Sequence, residues 1–288
     1  MKTKITLLLI AIMATVSVNA QLVKVYHNGV LEKSYLNTSM DEYKVVFSSG
    51  YVEIGGLKWA TMNLGATTVA ESPETSIGDY YAWGELDTYY SSIDWKTADG
   101  KPIVKWGKVS TITNVPGEKT GHNMTNYGGG QYSVWNPIQF DIYKEELLPE
   151  RDVVRKKLGG KWRIPTSADF EKLYYACGGS TETTPVSSNI TVGGNYWVPA
   201  NTTVDGETYK VTGMLFVAAD DINKRVFFPI TGCIHNTEII YNSHGYYMTT
   251  SLQIVATEQY CLQIKEESVY AGAFQGTCNG LVIRPVSD

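Results

Sequence analysis

Hydrophobic and polar residues alternate near the start of the chain, in two short runs that a pair of turn residues separates. The runs are 22–27 (LVKVYH) and 30–35 (VLEKSY), and Asn28-Gly29 lies between them. Both central residues of a tight hairpin turn need positive φ angles, which Asn and Gly adopt readily. With a third apolar run at 43–47, the pattern predicts a small leader sheet within residues 21–50.

A second hairpin is predicted at 51–64, YVEIGGLKWATMNL, because apolar residues alternate on both sides of Gly55-Gly56. An aromatic cluster, DYYAWGE, follows at 79–85. Residues 86–141 are rich in Gly, Ser, Thr, Asn and Tyr and have no clear period, so we expect a long loop region there. Binding residues often lie on long ordered loops.

Two helices are predicted in the middle of the chain. The first covers 150–158 (ERDVVRKKL) and ends at Gly159-Gly160. The second begins after Thr166, where Asp169 is spaced to complete a capping box. Four of its residues share one helical face, which predicts a buried stripe of Phe170, Leu173, Tyr174 and Cys177.

After Cys177 the chain consists of short apolar runs separated by turns, such as 209–218 (YKVTGMLFVA) and 225–232 (RVFFPITG). These runs predict strands. The fold class is therefore α+β, with two helices followed by a mostly antiparallel sheet.

The first 20 residues resemble a secretory signal peptide, with Lys2 and Lys4 before an apolar run and small residues ahead of the expected cleavage site. We therefore expect an exported protein that is periplasmic, displayed on the cell surface or secreted. Gln21 would follow the cleavage site, and a lipoprotein would need Cys there. No later apolar run approaches the roughly 20 residues of a membrane helix, so no membrane span is expected.

The formal net charge is −5. Phosphate binding requires a basic stripe, and none is visible, so nucleic acid is not expected as a partner. The chain has four cysteines, Cys177, Cys233, Cys261 and Cys278. In an oxidising compartment they could form two disulfides, with several possible pairings, or remain separate buried thiols. No two lie at CxxC spacing, which argues against a metal site.

Six blocks of sequence resemble the Fibrobacter succinogenes major paralogous domain, which occurs in exported proteins of Bacteroidetes and related bacteria. The blocks are 52–65 (VEIGGLKWATMNLG), 80–85 (YYAWGE), 159–173 (GGKWRIPTSADFEKL), 211–232 (VTGMLFVA with RVFFPITG), 245–251 (GYYMTTS) and 282–286 (VIRPV). The resemblance covers residues 51–288 in scattered pieces. Residues 21–50 are similar to the leader sheet that precedes such domains.

This resemblance implies a C-type-lectin-like fold. The block at 159–173 is also similar to the RLPTEAEWE block of formylglycine-generating enzymes, which share that fold. Those enzymes use two closely spaced cysteines near the C-terminus, whereas Cys261 and Cys278 are far apart here. A shared fold does not establish a shared function.

Calcium is the cofactor that lectins of this fold use, but their Glu-Pro-Asn, Gln-Pro-Asp and Trp-Asn-Asp motifs are absent from the sequence. The nearest acidic group is Asp220, Asp221 and Asn223, whose oxygens suit a hard cation. A polar hairpin turn explains the same residues without a metal. We therefore expect no cofactor.

Aromatic residues in the loop region are the candidate ligand-binding residues: Trp95, Trp106, Tyr127 and Trp135. Flat rings can stack on sugar faces, although such rings also serve to attach a long loop to the body of a protein.

No catalytic constellation is apparent. The histidines His27, His122, His235 and His244 belong to no hydrolase or metalloprotease motif. Arg163 and Arg284 each lie near a proline, where a guanidinium can satisfy loop carbonyls, so we interpret them as structural.

The sequence favours a secreted or surface-associated, non-enzymatic binding module whose ligand is a glycan or a surface protein, with a role in adhesion. One alternative is a structural component of a cell-envelope assembly, attached through the N-terminal sheet. A weaker alternative is a formylglycine-generating-enzyme-like oxidase.

Overall fold

The computed structural model describes residues 21–27, 30–37, 50–88, 90–97, 101–106, 140–141, 146–179, 182–235, 238–240, 242–252, 258–277 and 279–288. The chain forms two compact units, residues 1–50 and residues 51–288. The larger unit is rich in β-sheet and has few helices, which makes it a sheet-rich α+β fold.

The described part of the first unit is a hairpin of two strands, β1 (Gln21–His27) and β2 (Val30–Asn37). They pair antiparallel, with His27 opposite Val30, so the predicted Asn-Gly hairpin is confirmed. The apolar run at 43–47 lies outside the described residues.

The described residues contain three short helices: α1 (Pro73–Ser76), α2 (Val153–Leu158) and α3 (Ser167–Ala176). Helix α3 begins as predicted. The Thr166 hydroxyl accepts a bond from the Asp169 amide, and the Asp169 carboxylate accepts one from the Thr166 amide. The expected stripe is buried: Phe170, Leu173, Tyr174 and Cys177.

The other two helices differ from expectation. Helix α2 begins at Val153 because Asp152 caps it, and the preceding Pro149–Arg151 forms a 3₁₀ turn. Helix α1 was not predicted. It is a single turn in which the Ser72 side chain accepts a bond from the Thr75 amide.

The larger unit contains many short strands, which are, in chain order, β3 (Tyr51–Ile54), β4 (Leu57–Ala60), β5 (Tyr80–Tyr81), β6 (Tyr90–Asp94), β7 (Ile103–Trp106), β8 (Phe140–Asp141), β9 (Glu146–Leu147), β10 (Trp162–Arg163), β11 (Thr184–Pro185), β12 (Gly194–Val198), β13 (Thr202–Val204), β14 (Glu207–Tyr209), β15 (Gly213–Val217), β16 (Arg225–Pro229), β17 (Cys233–His235), β18 (Glu238–Ile240), β19 (Gly245–Leu252), β20 (Glu258–Lys265), β21 (Ser268–Gly276), β22 (Leu281–Val282) and β23 (Val286–Ser287). Most pair antiparallel. The parallel exceptions among the paired strands are β11 with β12 and β19 with β22.

The strands β11-β12-β15-β16 form a sheet with apolar residues on both faces. Met214 and Phe216 of β15 belong to the main core, whereas Leu215 and Val217 belong to a second, smaller core. Successive side chains of a strand point to opposite faces. The sheet therefore lies between two apolar layers, which accounts for the uninterrupted hydrophobic run in its sequence.

The largest sheet has seven strands and contains β21-β20-β19-β22-β5, with β9 paired to β19 and β8 paired to β9. Its residues Tyr247, Leu262, Ile264 and Val282 are buried in the main core.

The C-terminal strand β23 completes a different sheet, of order β10-β23-β4-β3. Val286 pairs with Arg163 on one side and with Trp59 on the other. The last residues of the chain therefore join segments that are far apart in sequence. The β3–β4 hairpin itself forms as predicted, with φ angles of 64° at Gly55 and 76° at Gly56.

The region 86–141 differs from the long loop expected from its composition. Its described part contains the β6–β7 hairpin, where Tyr90 pairs with Trp106, and the short strand β8. The sequence of β6, YSSID, is too polar to show a strand period, but its Tyr90 hydroxyl donates to Asp79 Oδ1 at 2.9 Å. Tertiary contacts thus fix a strand that local sequence does not specify.

Candidate functional site

The aromatic residues expected to bind ligand are not gathered by the described structure. Trp95 is half-buried and packs against the main core, so it helps to attach its segment to the body. Trp106 is the last residue of β7. Tyr127 and Trp135 lie outside the described residues.

The larger unit contains an open cleft of about 360 Å³ with one aromatic residue and many polar ones. It is lined by Trp197, Thr212, Ile230, Asn242, Ser243, His244, Lys265, Glu266 and Glu267. We refer to it as the Trp197 cleft.

The apolar side of the cleft is formed by Trp197 and Ile230. Both are half-buried and pack against the main core. Trp197 lies on β12 opposite Met214, and its neighbours Tyr196 and Val198 point to the smaller core. Strand alternation therefore places the indole on the opposite face from these two neighbours, on a strand that is paired on both sides.

A second side of the cleft is formed by the turn that precedes β19. The Ser243 hydroxyl and His244 Nδ1 lie 3.0 Å apart, and the His244 ring stacks against Tyr246 with ring centres 6.0 Å apart. Partial burial and the nearby Lys265 lower the pKa of His244 below its usual value, although Glu267 opposes them. The imidazole is therefore largely uncharged at neutral pH.

The third side is the turn between β20 and β21, where Lys265 pairs with Ser268 across Glu266 and Glu267. Thr183 holds this turn in place, because its hydroxyl donates to the Glu266 carbonyl. Both glutamate side chains are exposed. The cleft thus combines an aromatic face with carboxylates, a hydroxyl, an amide and an imidazole, a set suited to hydrogen-bonding a polar ligand over an apolar surface.

The acidic residues considered for a metal form a hairpin turn between β15 and β16. Asp221 Oδ1 accepts bonds of 3.0 Å from the backbone and side-chain nitrogens of Asn223. Asp220 forms an ion pair with Lys224 at 3.0 Å. These oxygens are used within the turn, and the described residues contain no group of three or more His, Cys, Asp or Glu side chains placed to hold a metal.

Cys177, Cys233 and Cys261 are buried free thiols, and Cys278 lies outside the described residues. Burial raises the pKa of both Cys177 and Cys233 to about 12, and Asp220 adds to the effect at Cys177. These three cysteines therefore match the interpretation as separate buried thiols.

Of the two arginines interpreted as structural, Arg284 bonds to backbone carbonyls as expected, whereas Arg163 bonds mainly to carboxylates. Arg284 is buried and donates to the Ala60 carbonyl at 2.9 Å and the Phe227 carbonyl at 2.8 Å. Arg163 donates to Asp169 Oδ2 at 2.6 Å and to Asp288 Oδ1 at 2.9 Å. Both link segments of different sheets or helices, and neither lines the Trp197 cleft.

A group of buried polar residues lies at the Leu252 end of the largest sheet. The Trp83 indole donates to the Thr249 carbonyl at 3.0 Å, which fixes the loop that carries Glu85. Glu85 Oε1 and both polar atoms of the Gln259 side chain have no hydrogen-bond partner in the described part of the chain. Burial raises the pKa of Glu85 to about 7, since Arg151 offsets only part of that effect.

His235 lies at the end of β17, and His27 ends β1, whereas His122 lies outside the described residues. His244 is the histidine that the structure brings to the cleft. Sequence reasoning treated it as an ordinary residue and did not identify Trp197. One signal was present: Glu266-Glu267 occupies a hairpin turn where Asn and Gly would be expected.

None of the helices in the described ranges has the length and apolar character needed to cross a membrane. No protein-family model, curated protein or solved structure matches the chain.

Proposed function

We propose that this chain is an exported, non-enzymatic binding module with a C-type-lectin-like fold, and that it holds a glycan in the Trp197 cleft. The fold and export proposals rest on the sequence resemblance described above. The binding proposal rests on one observation, namely a half-buried indole that lies on a strand paired on both sides, inside a cleft of about 360 Å³ with polar sides.

The geometry supports a sugar ring better than a purely apolar ligand. A pyranose offers an apolar face for stacking on Trp197 and hydroxyl groups at its edge. Asn242, Ser243 and Thr212 can donate and accept hydrogen bonds there. A purely apolar ligand would leave these groups without partners, which disfavours it.

Glycan-array screening followed by calorimetry tests the proposal. Trp197→Ala should weaken binding of any glycan that the wild type retains by at least about fivefold, because loss of ring stacking removes about 1 kcal/mol or more. Trp197→Phe should lose less affinity, because a smaller aromatic ring remains for stacking. The matched control is Tyr175→Ala, since Tyr175 is an aromatic residue on α3, 62% exposed, outside the cleft.

Equal affinity in wild type and in folded Trp197→Ala would contradict the proposal. In that case the aromatic residues expected from the sequence to bind ligand, Trp95, Trp106 and Trp135, become the next residues to test by substitution. Co-purification with envelope proteins in place of any glycan binding would favour the assembly role instead.

A further inference from the structure

The charged groups of the Trp197 cleft are unequal in number. Glu266 and Glu267 contribute two carboxylates, and Lys265 contributes one ammonium group. His244 is largely uncharged at neutral pH, because partial burial lowers its pKa. The lining is therefore net negative, and it also includes the indole of Trp197.

An aromatic face beside carboxylates is the combination that attracts a cationic group. The ring quadrupole and the carboxylates act in the same direction, and both disfavour an anion. The ammonium group of Lys265 offsets one of the two carboxylates, so one negative charge remains.

The choice of residues in the β20–β21 turn supports a role for the carboxylates. The β3–β4 and β13–β14 hairpins turn at Gly55-Gly56 and Asp205-Gly206, all with positive φ. Among the described residues other than glycine, positive φ occurs at Asn201 and Asp205, so Glu266 and Glu267 do not adopt it. A turn without positive φ matches strand twist less well, and adjacent like charges add repulsion.

Fixing the turn does not require these side chains either. Thr183 bonds to the backbone carbonyl of Glu266, so any residue at 266 could accept that bond. Residues that break a local rule of turn sequence are expected mainly at functional sites. The two glutamates break such a rule beside the cleft, which favours a functional role for them.

We infer that the Trp197 cleft is selective for a saccharide that carries amino groups, and that Glu266 and Glu267 are the specificity-determining residues. The inference rests on the proposed function, since it names the ligand class of the same cleft. The amine lies against the carboxylates while the sugar ring stacks on Trp197. Carboxylated saccharides are excluded by the same field.

The experiment compares three linear hexasaccharides by calorimetry at pH 7, where His244 is largely uncharged and a glucosamine hexamer still carries protonated amines. The ligands are a glucosamine hexamer as cation, an N-acetylglucosamine hexamer as neutral ligand and a galacturonate hexamer as anion. The wild type should bind the cation at least about fivefold more tightly than the neutral hexamer, since one charge pair near a protein surface contributes about 1 kcal/mol. The anion should bind most weakly. Raising salt to 0.5 M should reduce the preference.

Two variants separate specificity from folding. Glu266→Gln with Glu267→Gln should remove the preference for the cation over the neutral hexamer, because it removes both negative charges from the cleft. Glu266→Asn with Glu267→Gly should remove the same preference while raising the thermal midpoint, because Asn-Gly suits the turn. If the two glutamates only stabilised the turn, their replacement would not remove the cation preference and raise the thermal midpoint together.

Trp197-dependent binding of all three hexamers with equal affinity would overturn the inference and leave the proposed function intact. A preference for the cation that persists in both double variants would also overturn it. If the wild type binds none of the three, the inference fails, and the array result described above decides the proposed function separately.

Discussion

The guanidinium carbon of Arg284 lies 4.3 Å from the centre of the Phe228 ring, in a site where the arginine side chain is 1% exposed. The contact places a cation over an aromatic face in the main core. Burial lowers the pKa of Arg284 to about 10. The group therefore remains charged at neutral pH and is held there by the ring and by the two carbonyl bonds.

Arg284→Lys should destabilise the fold by about 2–4 kcal/mol, because one ammonium group cannot reach both carbonyls while it stacks on the ring. Chemical denaturation at pH 7 measures the change. The control is Lys156→Ala, at an exposed position on α2. If Arg284→Lys is as stable as the control, the arginine is not the structural link that its bonds indicate.

Asp169→Asn should destabilise the protein by about 1–3 kcal/mol at pH 7, because it removes an ion pair with Arg163 and half of the capping box. Burial opposes ionisation of Asp169, but hydrogen bonds from Arg163 and Thr166 outweigh it and lower the pKa. The stabilising effect is therefore present above the unfolded pKa and is lost as pH falls through the folded one.

The measurement for Asp169 is the free energy of unfolding of wild type and variant from pH 7 down to pH 3. The difference should shrink in the acid range below about pH 4. Glu171→Gln, an exposed change on the same helix, serves as control. A difference that stays constant with pH would argue against an ionised Asp169 as the source.

Glu85→Gln should stabilise the protein at pH 8. Because burial raises the pKa of Glu85 to about 7, the folded state binds a proton more tightly than the unfolded state does. The carboxyl is therefore well accommodated below its unfolded pKa, and it increasingly destabilises the fold as pH rises through 7. The gain should be about 1–3 kcal/mol at pH 8 and should diminish towards pH 4.

Thermal unfolding across pH 4–8 tests this, with the exposed Glu150→Gln as the matched control. If Glu85→Gln destabilises the protein at pH 8, the carboxylate has a partner that outweighs its burial.

Gly213→Ala should destabilise the fold by about 2 kcal/mol or more, because a new methyl group would overlap its neighbours. Its Cβ would lie 2.3 Å from Phe227 Cζ and 2.4 Å from the Phe228 carbonyl oxygen. In Gly272→Ala the nearest atom would be the movable Tyr270 hydroxyl at 3.0 Å, so we expect a smaller loss. Equal losses would show that strand 213–217 can shift to make room.

Native thiol labelling tests the burial of the cysteines. Cys177, Cys233 and Cys261 should react with a maleimide only after denaturation, since burial hinders access and keeps the thiols protonated. Peptide mass spectrometry after labelling in buffer and in urea reads out each site. A peptide that resists labelling in urea until a reductant is added would reveal a disulfide and contradict the free-thiol structure.

Local signals in the sequence predicted those elements that local interactions determine. The Gly55-Gly56 turn and the Thr166–Asp169 capping box are specified within a few residues, and both form as expected. Strand β6 was missed because its polar sequence acquires structure from partners outside the strand, such as Asp79. The single turn α1 is capped locally by Ser72, but it is too short to show a helical period.

The candidate site was missed for a related reason. Trp197, His244 and Glu267 are separated by many residues and come together only when β12, β19 and β20 assemble. No short motif links them, so a reading of adjacent residues could not bring them together. The aromatic residues of the 86–141 region formed the more obvious pattern, and Trp95 packs against the core instead.

Strand β23 has a consequence for the order of folding. Its residues Val286 and Ser287 occupy the position between β10 and β4, so those two strands share a sheet only once β23 has docked between them. Contacts between segments that are far apart in sequence carry a larger loop-closure cost than local ones. We therefore expect this sheet to close after the local β3–β4 hairpin has formed.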